Sequence, residues 1–572
     1  MKTFRGALAL LAFLALPVAC AAAAPHTFVV GDTSVVRVIA PGRMLPGTNV
    51  PEDELPLRMR LGMPPPSART QRPVPPLDVA HMARLRRAAD LRTGGLPAQS
   101  LDSLLALDRE VPHHPWIVRE LVTTQALMGD DRGVVERLRR ERPVTRDSLL
   151  GSAELEGALE RLGRPREAAE AALETWIVSA FDAAWARATI VHLAPLDPRG
   201  VTDAMRAACA ARPGRADLAL GLAWLLGRQG QAAEAVHVLE HAEPAVGRGA
   251  LRRAFVDDVL AGGTPTDSAA AFEALVSVAA DTACIPNARF DGARRALALA
   301  SARGRPGEGA ERVTHALAGV PAERWNPDLL LLTARALREG GHPAEAASLL
   351  ALVPGLAGRS PELALERALA LAREGPPERA VAPLDTLARV WAPARFALAE
   401  AQFWAGDMDS ALVNYQRASD DTESPDAMNA LDRSYLIEDA AGAPELRVLG
   451  AIAWQRWRGD GVRVRALADS LWHVLPTSSH CYATAALEAY AARAAAGAWR
   501  DALVPLAAIA DSLPGDRLAP VARQRAGEAL LQLGDSHRAL GEFEECLARY
   551  PRAWNSPEVR RQVEKLHKER RS

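Results

Sequence analysis

The residues most able to form a reactive set are His237-Val238-Leu239-Glu240-His241. Two histidines four apart share one face of a helix and can hold a zinc ion, with the glutamate between them as general base. The same stretch also reads as the second helix of a helical hairpin. Leu239 falls where a large apolar side chain is wanted, Ala242 where a small one is, and Pro244 ends the helix. No third ligand offers itself, so the two histidines are expected on a helix surface without metal. Arg458-Gly459-Asp460 spells an adhesion tripeptide, but glycine and aspartate are also what a turn between helices requires. His113-His114 stands before Pro115 with no partner at ligand spacing. There is no G-x-x-x-x-G-K phosphate loop and no G-x-S-x-G elbow, and lysine occurs only at Lys2, Lys565 and Lys568. Beyond Cys20 the cysteines are Cys209, Cys284, Cys481 and Cys546, which form no CxxC spacing; they are expected as small buried hydrophobes in preference to disulfides. No catalytic residues, metal site or cofactor are expected.

The elements that carry these residues follow from composition. A chain of 572 residues is too long for one compact core, so several domains or an elongated array is expected. Hydrophobic residues make up 49% of it and aromatic ones only 5%, so its apolar surface is mostly alanine and leucine, which favours helices over sheets. A formal net charge of −2 gives no electrostatic footprint for nucleic acid.

The clearest element is Pro520 to Pro551. Ala522, Ala526, Ala529, Leu530 and Leu533 recur at helical spacing and line one face. Gly534 follows where a helix ends in a left-handed residue, and Asp535 and Ser536 can cap the next helix. Ala539, Leu540, Phe543, Cys546 and Leu547 make the second apolar stripe, which Pro551 closes. The glycine-then-alanine signal, with four residues between, recurs at Gly163/Ala168, Gly230/Ala235, Gly341/Ala346, Gly375/Ala380, Gly406/Ala411 and Gly497/Ala502. Some steps are 34 residues (341 to 375), 31 (375 to 406) and 37 (497 to 534).

With Gly527, Gly534, Ala539, Phe543 and Pro551 in place, this unit resembles the tetratricopeptide repeat, a helix–turn–helix of about 34 residues. It departs from the family pattern at Arg523 and Leu530, where a tryptophan and a tyrosine are usual. The resemblance implies an all-α fold, an α-solenoid of stacked helix–turn–helix repeats. It also implies that the first helices of successive units line a concave groove that holds a peptide or partner helix. Carried onto this chain, that face comprises Phe396, Glu400, Phe403 and Trp404; Leu220, Trp224 and Arg228; and Gln524, Glu528 and Gln532. Phe396 and Phe403 read equally well as packing against the neighbouring hairpin.

Residues 1–24 have the layout of a secretory signal peptide: Lys2 and Arg5, an apolar run from Ala7 to Val18, then small residues. The rival is a lipoprotein signal with lipidation at Cys20, against which Pro17 stands in place of the usual leucine. Residues 25–77 are expected to be a proline-rich extended linker, with a brief strand pair at Thr27–Val30 and Ser34–Ile39. Helical repeats then fill 78–419, with an irregular patch at 185–212 where Pro195 and Pro198 interrupt the pattern. An irregular helical joint follows at 420–475, and repeats ending in a charged capping helix occupy 476–572. The charges of that last helix read as a solvated face.

The expected function is an exported, non-catalytic scaffold, periplasmic or outer-membrane associated. Its partners would be other envelope proteins or peptides, with no nucleic acid, and Cys20 would be its membrane tether if lipidated. The alternatives are an envelope hydrolase acting on peptides or peptidoglycan, and a self-assembling structural component.

Overall fold

A computed structural model describes residues 74–571 apart from 180, 181, 263, 264 and 441. The leader, Cys20, the strand pair and nearly all of the proline-rich linker lie outside the described residues. Among the described residues there are 29 α-helices and no strands, and none of these helices is long and apolar enough to cross a membrane. They fall into two compact units. One runs over 74–304 with Arg312–Gly319, the other over 320–571 with Arg305–Glu311. Each is a run of antiparallel helical hairpins packed side by side, an α-solenoid arrangement.

The Ala519–Gln532 and Ser536–Arg549 hairpin shows why the sequence folds this way. Gly534 is left-handed at φ +77°, and its turn closes with the Asp535 N–H donating to the Leu530 carbonyl at 2.9 Å. Glycine, which has no Cβ to crowd, adopts that φ without steric cost. The Asp535 carboxylate then accepts from the Arg538 N–H at 3.0 Å, a cap worth about 1 kcal/mol. Ala539 and Phe543 are fully buried, and the Phe543 ring lies where a Cβ on Gly527 would come within 2.4 Å. Leu533, expected on the buried stripe, is 38% exposed, at the position just past the end of the helix.

The same turn recurs with glycine at positive φ at Gly163, Gly230, Gly341, Gly406 and Gly497, and the alanine five residues on has no exposed surface at any of them. Gly375 is the exception: its φ is −124°, because Pro376 forces the residue before it into an extended conformation. Ala380 is nonetheless fully buried.

The 185–212 region is regular, contrary to the expectation from its prolines. It holds two helices, Ala183–Leu193 and Pro198–Ala211, and Pro198 is the first residue of the second. At that position the missing N–H has no helical partner to lose. Between 420 and 475 the helices are Ala427–Asp439, Glu445–Arg458 and Gly461–Val474. Ala427–Asp439 packs on Met408–Ser419, whereas Glu445–Arg458 packs on Ala394–Ala405.

Candidate functional site

The ten residues expected to line a groove do not share one environment. In the unit beyond residue 319, Glu400, Phe403 and Trp404 are at most 7% exposed, and Phe396 is half-buried. Their cover is the chain's own Glu445–Arg458 helix. Gly450 sets its backbone so close to the Ala394–Ala405 helix that an added Cβ would lie 2.2 Å from the Phe403 carbonyl oxygen. Trp457 packs on Trp404 with ring centroids 4.8 Å apart. Trp454 donates its indole N–H to the Ala372 carbonyl at 3.1 Å, and Arg373 donates to the Arg458 carbonyl at 3.3 Å. Each of the helices Pro361–Glu374 and Glu445–Arg458 thus supplies a donor for the other's C-terminal carbonyls.

Glu400 is used internally as well. It accepts from the Tyr415 hydroxyl at 2.5 Å and from Arg433 Nε at 3.2 Å, while the Arg433 guanidinium stands 4.9 Å from the Phe403 ring centre. Burial, and then the Glu400 carboxylate, push the Tyr415 hydroxyl well above its ordinary range. Burial opposes the charge on Arg433, but Glu400 outweighs it and holds that guanidinium protonated. Glu400, Phe403 and Trp404 are therefore packing and pairing positions, with too little open surface left for a partner.

Gln524 is likewise covered. Asn555, in the turn before the last helix, donates to its Oε1 at 2.9 Å, and Gln524 donates to Glu528 at 2.9 Å. Glu528, partly open, also pairs with Arg525 at 2.6 Å, and Gln532 is exposed. In the unit before residue 305, Leu220 is 8% exposed and belongs to the core. Trp224 and Arg228 do form an accessible pair. The guanidinium lies 4.5 Å over the indole and is 43% exposed, with Asp267 at 3.8 Å. Aromatic and arginine side chains of this kind are common interface anchors.

The motifs with apparent chemistry are absorbed by structure. His237 and His241 are exposed, while Glu240 accepts from Ser277 and, at 3.2 Å, from Arg252. Arg252 is fully buried and also meets Glu243 at 2.7 Å and Asp281 at 2.6 Å. Gly459 is a left-handed turn residue, and Asp460 caps the next helix by accepting from the Arg463 N–H. His113 pairs with Glu141 at 2.7 Å, and His114 accepts from the Trp116 N–H at the start of the Pro115–Leu127 helix. Among the described residues no group of three His, Cys, Asp or Glu side chains is placed to hold a metal. The four described cysteines are free thiols, and burial pushes Cys209 up to about 12 and Cys481 and Cys546 to about 11, which leaves them protonated and poor nucleophiles. Cys209 is half-buried and the other three are buried. An open bowl of about 630 Å³ lies between Glu378–Val390 and Met408–Ser419, lined by Asp385, Arg389, Arg395, Arg417, Asp420 and Asp421 among others. It carries three acids and three arginines.

Residues 522–553 match the family model described as tetratricopeptide repeat. That is the stretch whose glycine turn, capping aspartate and Gly527–Phe543 contact are set out above. That stretch is a tetratricopeptide repeat. No curated protein sequence matches it. Solved structures similar to this chain include a tetratricopeptide repeat protein from Parabacteroides merdae, at 14% identity and a TM-score of 0.22, covering 49% of this chain and 98% of that one. Another is yeast Tom70, at 12% identity and a TM-score of 0.21, covering 86% and 97%. Likeness at that level says nothing about partner or activity.

The repeat signal had further copies that alanine alone does not reveal. Gly95, Gly129 and Gly459 make the same left-handed turn, and five residues on stand Ser100, Val134 and Val464, all buried. The position requires a side chain that fits against the first helix, and serine meets that by donating to the Ala88 carbonyl at 2.7 Å.

Proposed function

We propose that this protein is an exported, non-catalytic scaffold of the cell envelope that binds other proteins or peptides on the open parts of its repeat faces. The observation that carries the reading is the matched repeat at 522–553 together with recurrence of its turn along the chain. Export is supported by Lys2 and Arg5 ahead of the Ala7 to Val18 apolar run, with Cys20 as the lipidation point if the chain is tethered. A non-catalytic role is supported by the engagement of Glu240 with Arg252 and Ser277, which takes the one motif-like base into an ion-pair network.

Contact with a partner then falls to Trp224 and Arg228 in one unit, and to Glu528 and Gln532 in the other. Affinity capture of the full chain from its native envelope, compared with a Trp224→Ala/Arg228→Ala variant, tests this. The variant is expected to lose a specific protein, with affinity falling by about tenfold or more. Retention of every partner at wild-type level would remove this face from the reading. Fractionation of wild type against Cys20→Ala tests the location, and protein left in the cytoplasm in both would contradict export.

A further inference from the structure

Arginine recurs at or just after the C-terminal end of first helices, where a cation suits the helix dipole. Most copies also have a carboxylate. Arg92 pairs with Glu120 at 3.1 Å, Arg161 with Asp131 at 2.7 Å, Arg228 with Asp267 at 3.8 Å, Arg338 with Glu366, and Arg493 with Asp469 at 2.9 Å. Among the described residues Arg303 has no carboxylate at ion-pair distance; it stands 5.9 Å from the Phe272 ring centre, beside Arg312, which pairs with Glu273. Arg373 and Arg458 lack one too, and these two are neighbours. Among the described residues no carboxylate comes within ion-pair distance of either.

The site around them is built from aromatic and cationic groups. Arg338 and Arg373 each stand 5.7 Å from the Trp457 ring centre, and Arg458 stands 4.8 Å from that of Trp454. Arg373 spends one N–H on the Arg458 carbonyl, which is neutral. Among the described residues the only acids that pair with Arg335, Arg338, Arg373 or Arg458 are Glu339 and Glu366, and Glu366 is already shared between Arg335 and Arg338. Glu374 is turned to Arg379. Burial, with the like charges of Arg338 and Arg458, pushes Arg373 below the ordinary arginine range even against the pull of Glu339 and Glu366. Cation–π contact offsets part of this cost but supplies no negative charge.

We propose that Arg373 and Arg458, walled by Trp454 and Trp457, form a binding site for a phosphate-type dianion, either free phosphate or a phosphate monoester. Two uncompensated guanidinium charges match the roughly −1.5 to −2 that such a group carries near neutral pH, where a carboxylate supplies one. The planar forks of arginine suit its oxygens, and the indoles limit water beside it.

Calorimetric titration of the full chain with inorganic phosphate, with glycerol phosphate and with acetate, all at one ionic strength, tests the site. Saturable binding of phosphate or its monoester is expected, with acetate bound about tenfold more weakly or not at all. Stronger binding of glycerol phosphate than of inorganic phosphate identifies a monoester as the ligand, and the reverse identifies the free ion. R373Q and R458Q are each expected to weaken phosphate about tenfold. Should R373Q fail to fold for want of its carbonyl contact, R458Q, which removes no hydrogen bond seen in the structure, decides the matter. Phosphate binding unchanged in R458Q, equal binding of acetate, or no saturable binding by the wild-type chain would each overturn the proposal.

Discussion

The indole rings of Trp404 and Trp457 lie 4.8 Å apart at an interplanar angle of 30°, joining the Ala394–Ala405 helix to the Glu445–Arg458 helix. Through this contact the Glu445–Arg458 helix covers a face that the repeat pattern assigns to partners. Trp404 retains 7% exposure, so its role is cohesion within the unit. Trp404→Ala is expected to cost about 3–5 kcal/mol in urea unfolding, the range for deleting a large buried aromatic. A loss below about 1 kcal/mol would mean that the helix does not depend on this contact.

Gly450 should tolerate no side chain. A Cβ there meets a main-chain oxygen at 2.2 Å, and a main-chain atom cannot rotate away as a side-chain tip can. Gly450→Ala must push the two helices apart, even though alanine is the better helix former by about 1 kcal/mol. Net destabilisation of about 1–3 kcal/mol is expected in denaturant melts. Stabilisation would show that the two backbones are not in contact.

Arg252 is fully buried beside Glu243, which is fully buried too, and these two with Glu240 and Asp281 tie the Ala232–Ala242 helix to the elements after it. Arg252→Met keeps most of the volume but leaves Glu243 without its cation. The expected loss is about 3–5 kcal/mol. Restoration of most of that stability by adding Glu243→Gln would confirm that the unpaired charge is the cause; no restoration would assign the loss to packing.

Glu156 should make stability depend on pH. It is 2% exposed, one of its carboxylate oxygens has no hydrogen-bond partner, and burial pushes its pKa from an ordinary 4.5 up to about 8. Below about 4.5 the carboxyl is protonated whether the chain is folded or not, and it has no effect. Between there and about 8 the folded chain retains a proton that the unfolded chain has released. Stability therefore falls as pH rises through this window and levels off above it. Glu156→Gln is expected to flatten that slope in melts from pH 5 to 9, and a wild-type slope of the opposite sign would contradict the assignment.

The repeat architecture was legible because its rule is local. A left-handed glycine, a capping carboxylate and a small residue five positions on follow one another within a turn and a half of helix, as at Gly406, Asp407 and Ala411. What each face touches is not local. Glu400, Phe403 and Trp404 have the composition of an interface, and their cover comes from Arg433 and Trp457, tens of residues away. Gln524 is covered by Asn555 for the same reason. Prolines misled in one place, since Pro198 starts a helix as readily as it ends one. Trp224 and Arg228 stay accessible while stacked on each other, four residues apart on one helix, with Arg228 also reaching Asp267.

The scaffold account rests on partners meeting the open repeat faces, and site-specific photo-crosslinking of the full chain in its native envelope tests that most directly. A crosslinker at Arg228 or Gln532 is predicted to yield a discrete protein adduct. The same group at Arg389, which is 75% exposed near the end of the Glu378–Val390 helix, should yield none. Absence of any adduct at Arg228 and Gln532, or the same adducts from Arg389, would contradict the account.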